Sequence, residues 1–392
     1  MTLRYSSFIL FFILLMLVSS FSLLVDTFLG YGITFVTLAF VIFYLLTGKN
    51  LSGRFFWFDL LPLFFIAAWV YGVYLGFFKG NATNYIIRNF AGMFLYIIYF
   101  VIVSSRLEVE RVVKVLFWAA IINAFYSYAY TTWLVFFKGL SYYDYLRMYY
   151  SPGLSVLGPF LALSLFSSIT GNSISRNPII FSSRAKNILF FFFLLIPYAV
   201  LSFSKGYFAS AVILLVLVLF TVNARSIQQL KISPFGALFT FFALLSIVTL
   251  SFNYWDELVF SLSAAEQSNS VRSEQAPRII SELTLTGAGL GAVLESGYAR
   301  SELAYGFELS FLSIIHKLGL VGVLVCFAYA VCIVIPLFHI FFREENFYSW
   351  LAVGGMLFVV PSYGNPMIFS PVIVILHCCS MYFIRELVLK RN

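Results

Sequence analysis

Apolar residues dominate this chain in long unbroken runs, separated by short polar connections, with one wide polar stretch at 253–305. A run of about 17 to 25 apolar residues is the length that crosses a bilayer as a helix. Such runs stand near 7–25, 31–47, 60–78, 85–103, 113–137, 153–170, 188–203, 206–222, 234–252, 307–341, 350–362 and 366–384. In the tenth, the crossing part is expected at 319–341. The pattern therefore predicts a single all-α, polytopic transmembrane helical bundle over 1–392, with about twelve spans and both termini on one side. The first run has no convincing small-residue cleavage site after it and reads as a signal anchor.

Composition narrows the class. Hydrophobic residues make up 62% of the chain, charged residues 10%, and mean hydropathy is +0.97. A water-soluble globule, with about 25% charged residues, is excluded. The 48 Phe and 25 Tyr suit lipid contact and interfacial belts, and also the stacking of sugar rings. Cys326, Cys332, Cys378 and Cys379 all fall in apolar runs without zinc-site or disulfide spacing. They read as small core residues.

Charge sets the orientation. Of the 24 Lys and Arg, fifteen fall on the side that holds the termini, which the positive-inside bias assigns to the cytoplasm. The polar stretch 253–305 then lies outside, together with a smaller external segment at 138–152 (KGLSYYDYLRMYYSP). The other nine, Lys79, Arg88, Lys138, Arg147, Lys205, Arg272, Arg278, Arg300 and Lys317, stand at or near the outer face against that bias. An anion such as a pyrophosphate or acidic sugar would keep them there, since guanidinium groups bind phosphate oxygens in bidentate, charge-assisted pairs. Pairing with Asp144, Glu295, Glu302 or Glu308 is the structural alternative.

Ionisable groups that re-enter hydrocarbon are costly, and Glu308, His316 and Lys317 do so in GFELSFLSIIHKLGLVG (306–322). The alternatives are a functional site and ordinary interfacial snorkelling. Upstream, SVRSEQAPRIISEL (270–283) predicts a helix that Pro277 kinks or starts. Arg272 and Arg278 diverge on a continuous helix and converge on one anion only if Pro277 redirects its second half. The glycines of TGAGLG (286–291) permit tight backbone approach, as a plain turn or as a phosphate cradle. In the smaller segment, Arg147 lies beneath tyrosines suited to the interface.

Taken together, SFSKG (202–206), two further helices, Arg272 leading through TGAGLG, and a re-entry helix ending LGLVG (318–322) resemble the O-antigen polymerase and O-antigen ligase superfamily of bacterial inner-membrane glycosyltransferases. The resemblance covers roughly 188–341. It implies a GT-C-like fold and transfer of a glycan from an undecaprenyl-pyrophosphate carrier to a sugar hydroxyl at the periplasmic face. Ligase-like members open the re-entry helix with a His-Asn pair eleven residues before the first closing glycine. Here that position holds Glu308, followed by Leu309, which tilts the reading towards a polymerase. A ligase acting on lipid A core is the nearest alternative.

Such a transfer needs fixed cations for the departing pyrophosphate and a base for the acceptor hydroxyl. Arg272 and Arg278 are the main candidates for the first, with Lys205, Arg88, Arg147, Arg300 and Lys317 as further substrate-binding groups. Glu308 is the candidate base and His316 its competitor, the two about 80° apart around one helix. His339 and His377 are expected to pack. With no DxD-like pair, no histidine cluster and no Walker-type loop, no metal or nucleotide cofactor is expected. The resemblance suggests a chain-length regulator as partner, and no nucleic acid. The chain lacks the half-to-half correspondence of a transporter, such as a lipid-linked oligosaccharide flippase.

Overall fold

The computed structural model of the protein describes residues 2–18, 56–105, 107–137, 152–170, 183–202, 204–229, 267–297, 307–342, 347–364 and 366–389. Among them every regular element is helical. The spans expected at 31–47 and 234–252, and the segment at 138–151, lie outside the described residues.

The α-helices, in chain order, are α1 (Thr2–Val18), α2 (Leu60–Phe78), α3 (Thr83–Ala91), α4 (Ile97–Ser104), α5 (Val109–Thr132), α6 (Gly158–Thr170), α7 (Arg184–Leu195), α8 (Lys205–Gln229), α9 (Gln267–Ser281), α10 (Ser310–Leu318), α11 (Leu320–Phe342), α12 (Phe347–Met356), α13 (Val359–Ser362) and α14 (Pro371–Leu389). Among the described residues six helical segments are long and apolar enough to cross a membrane: Trp57–Phe78, Thr83–Ser104, Val109–Thr132, Pro152–Ile169, Leu320–Phe342 and Pro371–Leu389. Shorter apolar helices cover Ile9–Val18, Ala185–Leu201, Lys205–Thr221 and Phe347–Ser362.

Among the described helices α6, α12 and α14 are the most buried, largely apolar around the whole axis as core helices are. From Val372 to Arg385 no residue of α14 is more than 8% exposed. Against α6 packs α12, where Gly158 and Gly354 bring backbone onto backbone: a Cβ on either would lie 2.3–2.4 Å from the other's carbonyl oxygen. The outward faces of α2 and α11 carry Phe77, Phe78, Leu320, Phe327 and Phe342, exposed as lipid-facing side chains are.

Asp59 and Arg385 form a buried ion pair. Asp59, just ahead of α2, accepts hydrogen bonds on Oδ1 from Arg385 Nε (2.9 Å) and Tyr99 Oη (2.6 Å), and on Oδ2 from the Phe56 amide (2.8 Å). The pair ties the start of α2 to the end of α14. Deeper in, His377 Nδ1 and the Tyr96 and Tyr329 hydroxyls form a chain of 2.8 and 2.7 Å contacts beside Phe65. His339 is buried near the end of α11.

The crossing part of the tenth run stands where it was expected, at Leu320–Phe342. The run 307–341 is broken at Gly319 (φ +59°), so a short helix, α10, precedes the crossing helix α11 and folds sharply against it. Gly322 permits that fold, because a Cβ there would meet the Ile314 carbonyl oxygen at 2.5 Å. Pro277 lies inside α9, which continues unbroken past it.

The remaining organising contact is a groove. On α2, Gly72 and Gly76 form a small-x-x-x-small stripe of the kind that admits a second helix. Here it admits the turn 286–291 instead. A Cβ on Gly289 would stand 2.5 Å from Gly76 Cα, and Gly287, Gly289 and Gly291 all have φ between +76° and +85°. Gly289→Val therefore incurs both backbone strain and overpacking, each roughly 1–3 kcal/mol. Gly297→Val, at φ +67° with open space around it, incurs the strain alone. The thermal midpoint of the detergent-solubilised protein is expected to fall clearly further for Gly289→Val, and equal falls would show that the turn is not seated in the groove.

Candidate functional site

One face of α9 looks inward. Arg272, Gln275 and Ile279 follow the i, i+3, i+7 spacing of a helical stripe, while Glu274 and Arg278 are exposed. Ile279 closes a small apolar cluster with Leu294 and Phe307. That cluster holds α9 against the residues entering α10.

At the head of the stripe, Arg272 Nε stands 3.4 Å from Glu308 Oε2. Arg272 Nη2 donates to the carbonyl of Gly364, just beyond α13, at 2.9 Å. Gly364 presents bare backbone there, since a Cβ would lie 2.8 Å from the guanidinium carbon. Gln275, one turn on, accepts the Glu308 amide at 2.9 Å and is 1% exposed. Gln275 thus holds Glu308 at its backbone, and Arg272 stands beside its carboxylate.

Eight residues further on, the end of α10 carries His316 and Lys317, both 1% exposed. His316 Nε2 lies 3.7 Å from Glu282 Oε2, and the ring meets Phe307 edge to face. Burial, with Lys317 adding to it, lowers the proton affinity of the imidazole below its ordinary value, and Glu282 opposes both. Lys317 Nζ donates to Asn89 Oδ1 at 2.8 Å and sits over the rings of Phe307 and Phe369, 5.2 and 5.3 Å from their centroids. Burial pushes its pKa down to about 7.

The glycine turn completes the arrangement and uses its donors in doing so. The amides of Ala288 and Gly289 donate to the carbonyls of His316 and Lys317, both at 2.8 Å, capping the open end of α10. Leu290 donates to Gly72 of α2, and Gly291 to Asn89 Oδ1. From the other side, Asn81 Nδ2 donates to the carbonyls of Ala288 and Leu290, each at 2.9 Å, and Tyr71 Oη to that of Thr286. A phosphate cradle needs amides that point at the ligand, and these are spent inside the protein. Of the two readings open for TGAGLG, the structure selects the turn.

The candidate residues therefore separate. Arg272 pairs with Glu308, while His316 and Lys317 both meet Phe307, the residue before Glu308. Arg278 is exposed on the far side of α9, about 120° around the axis from Arg272, because the helix is continuous through Pro277. The convergence that a break at Pro277 would have allowed does not occur. Arg88 is exposed on α3, and Lys205 begins α8, where Gly206 packs onto Pro361 of α13. Arg147 and Arg300 lie outside the described residues. Sequence reading passed over Gln275, Glu282, Asn81 and Asn89. Gln275 had a signal in its three-residue spacing from Arg272, and Asn89 in being an amide at the edge of an apolar run. The long-range partners of the other two leave no local signature.

Among the described residues no three or more His, Cys, Asp or Glu come together as a metal site. Comparison of the chain with models of known families, with curated proteins and with solved structures finds no match to any of them. The site is thus defined by its own geometry.

Lys317 offers a direct check on that geometry. An unfolded-state lysine titrates near 10.4, well above the native value of about 7. Between those limits the unfolded state binds more protons than the native one, so this group makes stability rise with pH across the window and leaves it flat below. Thermal midpoints of the wild type are expected to climb from pH 7 to 10 relative to Lys317→Met, which lacks the term. Parallel pH curves for the two proteins would place Lys317 in water.

Proposed function

We propose that this chain is a polymerase of O-antigen or a related surface polysaccharide. It moves a growing glycan from undecaprenyl pyrophosphate onto the non-reducing-end hydroxyl of a lipid-linked repeat unit. The observation that carries the reading is the Arg272–Glu308 pair, where a polar helix of the 253–305 stretch meets the mouth of the re-entry helix. A guanidinium held there by Gly364 and faced by an exchangeable carboxylate is suited to a diphosphate. On donor binding, phosphate oxygens replace Glu308 on the Arg272 guanidinium. The anomeric C–O bond then breaks towards the carrier, with the developing pyrophosphate charge met by Arg272. Glu308 is released beside it.

In this reading the bundle has twelve spans in a GT-C-like arrangement in the bacterial inner membrane. Both termini are cytoplasmic, and 253–305 is periplasmic. The exposed Arg278, Arg88 and Lys205 meet the carrier phosphates or acidic sugars on approach, and a chain-length regulator is the expected partner. Each element has its support in the sequence: positive-inside charge, the resemblance over 188–341, and Glu308 standing where ligase-like members have histidine.

The discriminating experiment deletes the gene and separates the surface lipopolysaccharide on a gel. A ladder that collapses to core plus a single repeat unit is expected. Bare core with polymer accumulating on the lipid carrier would instead identify a ligase, and an unchanged ladder would overturn the reading. In the complemented strain, Arg272→Ala and Glu308→Gln are expected to abolish polymer at normal protein levels, whereas Arg278→Ala reduces it. Full polymer from Arg272→Ala would remove the site.

A further inference from the structure

Glu308 faces a guanidinium, which leaves unsettled where the proton of the acceptor hydroxyl goes. His316 stands apart from that pair. Its imidazole is held from one side only: Nε2 faces Glu282, while Nδ1 is buried without a hydrogen-bond partner. A buried imidazole nitrogen left unsatisfied is uncommon, and calls for a ligand or a chemical role. Glu282, the first residue beyond α9, is itself fixed, because its Oε2 accepts the Glu295 amide at 3.1 Å. That same oxygen is the one 3.7 Å from Nε2. The separation is longer than a hydrogen bond and short enough for an ion pair that tightens once the ring acquires charge.

We propose that Glu282 is the positioning residue for His316, holding the imidazole proton on Nε2 so that Nδ1 is presented as the base to the acceptor hydroxyl. The proposal rests on the polymerase reading and deepens it. The acceptor O–H donates to Nδ1, and its oxygen attacks the anomeric carbon of the donor. The bond from that carbon to the pyrophosphate oxygen breaks, and its electron pair leaves with the pyrophosphate, which Arg272 receives. The proton goes to Nδ1, giving an imidazolium next to the Glu282 carboxylate, and passes to water when the product leaves. A carboxylate behind a histidine fixes the tautomer and stabilises the charged ring in this way without being protonated itself. Nδ1 is out of water, so the acceptor reaches it only when the packing around the ring opens. Phe307 packs against the imidazole and adjoins Glu308 in the chain. Exchange of Glu308 for donor phosphate loosens that neighbour, so the donor is expected to bind before the acceptor.

The test uses the full-length protein in lipid nanodiscs, with lipid-linked repeat units extracted from membranes of the deletion strain. Polymer formation is followed against pH. The charges that bear on His316 are Glu282 from beyond α9, Lys317 on α10 and Lys79 from the end of α2. Wild-type rates are expected to rise along one limb below neutral pH and then level. His316→Gln loses about 10²-fold or more, the usual contribution of a positioned base. Glu282→Gln lowers the plateau and moves the limb to lower pH, because the carboxylate that raises the imidazole's proton affinity is gone. Glu282→Asp restores part of both. A Glu282→Gln limb at its wild-type position overturns the proposal, whether or not the plateau falls, since a merely structural role lowers rate without moving the limb. If that variant does not fold, the limb of Glu282→Asp decides by the same criterion. Absence of polymer with the wild-type protein overturns the polymerase reading itself, a failure distinct from an unmoved limb.

Discussion

Six residues of glycine-rich backbone pressed into the groove of one membrane helix hold this site together. The turn 286–291 has no side-chain core of its own apart from Leu290, so its free energy comes from main-chain hydrogen bonds made out of water. Its amides cap α10, reach Gly72 on α2 and meet Asn89 on α3, while Asn81 closes its carbonyls. Four separate parts of the chain are thereby fixed to one another. Gly76 on α2 and Gly289 in the turn are two halves of one requirement, while Gly287 makes the same close approach to the end of α10 and Gly291 to α3. The stripe that would pair two helices elsewhere pairs a helix with a loop.

The buried charges are treated in three different ways, and the differences are chemical. Asp59 and Arg385 are joined by short contacts, and Tyr99 and a backbone amide share in satisfying the carboxylate. Such a pair locks two helix ends, and breaking it leaves an uncompensated charge. Lys317 is accommodated by an amide oxygen and two aromatic faces, at the cost of much of its affinity for a proton. Arg272 and Glu308 are neither locked nor neutralised: they meet at 3.4 Å with their side chains 23% and 12% exposed. A contact longer than a hydrogen bond, between side chains that are partly exposed, can be exchanged for a ligand, whereas the Asp59 contact cannot. Distance and exposure together separate a structural ion pair from one suited to chemistry.

Much of the fold was legible in the apolar runs. The expected spans at 60–78, 113–137, 153–170 and 206–222 correspond to helices at nearly those positions, because hydrocarbon thickness fixes their length. Breaks were harder to read. Gly319 ends α10 with a positive φ where the crossing part was expected to begin, but the fold of α10 back onto α11 has no signal in periodicity. Pro277 looked like a break and is none: α9 absorbs it on an exposed position, where the missing amide and the ring are tolerated. Glu308, His316 and Lys317 were visible because ionisable residues stand out against hydrocarbon. Glu282 and Asn81 were not, since an ordinary polar residue in a polar loop acquires meaning only from a partner distant in the chain.

Depth is what the break at Gly319 provides. Had α10 and α11 formed one straight helix, the face bearing Glu308 would continue outward along the axis of α11. Instead α10 turns back at Gly319 and packs at Gly322, so Glu308 and Gly364 approach the same guanidinium. The short helix also orders its own charges. Its positive end lies just beyond Glu308, and its basic residues occupy the last turn, where the dipole favours cations. The carbonyls of that last turn would be orphaned at the bend, and the turn amides of Ala288 and Gly289 satisfy them. Bending the re-entry segment and seating the glycine turn are therefore one structural event, and the separation of the carboxylate from the histidine follows from it.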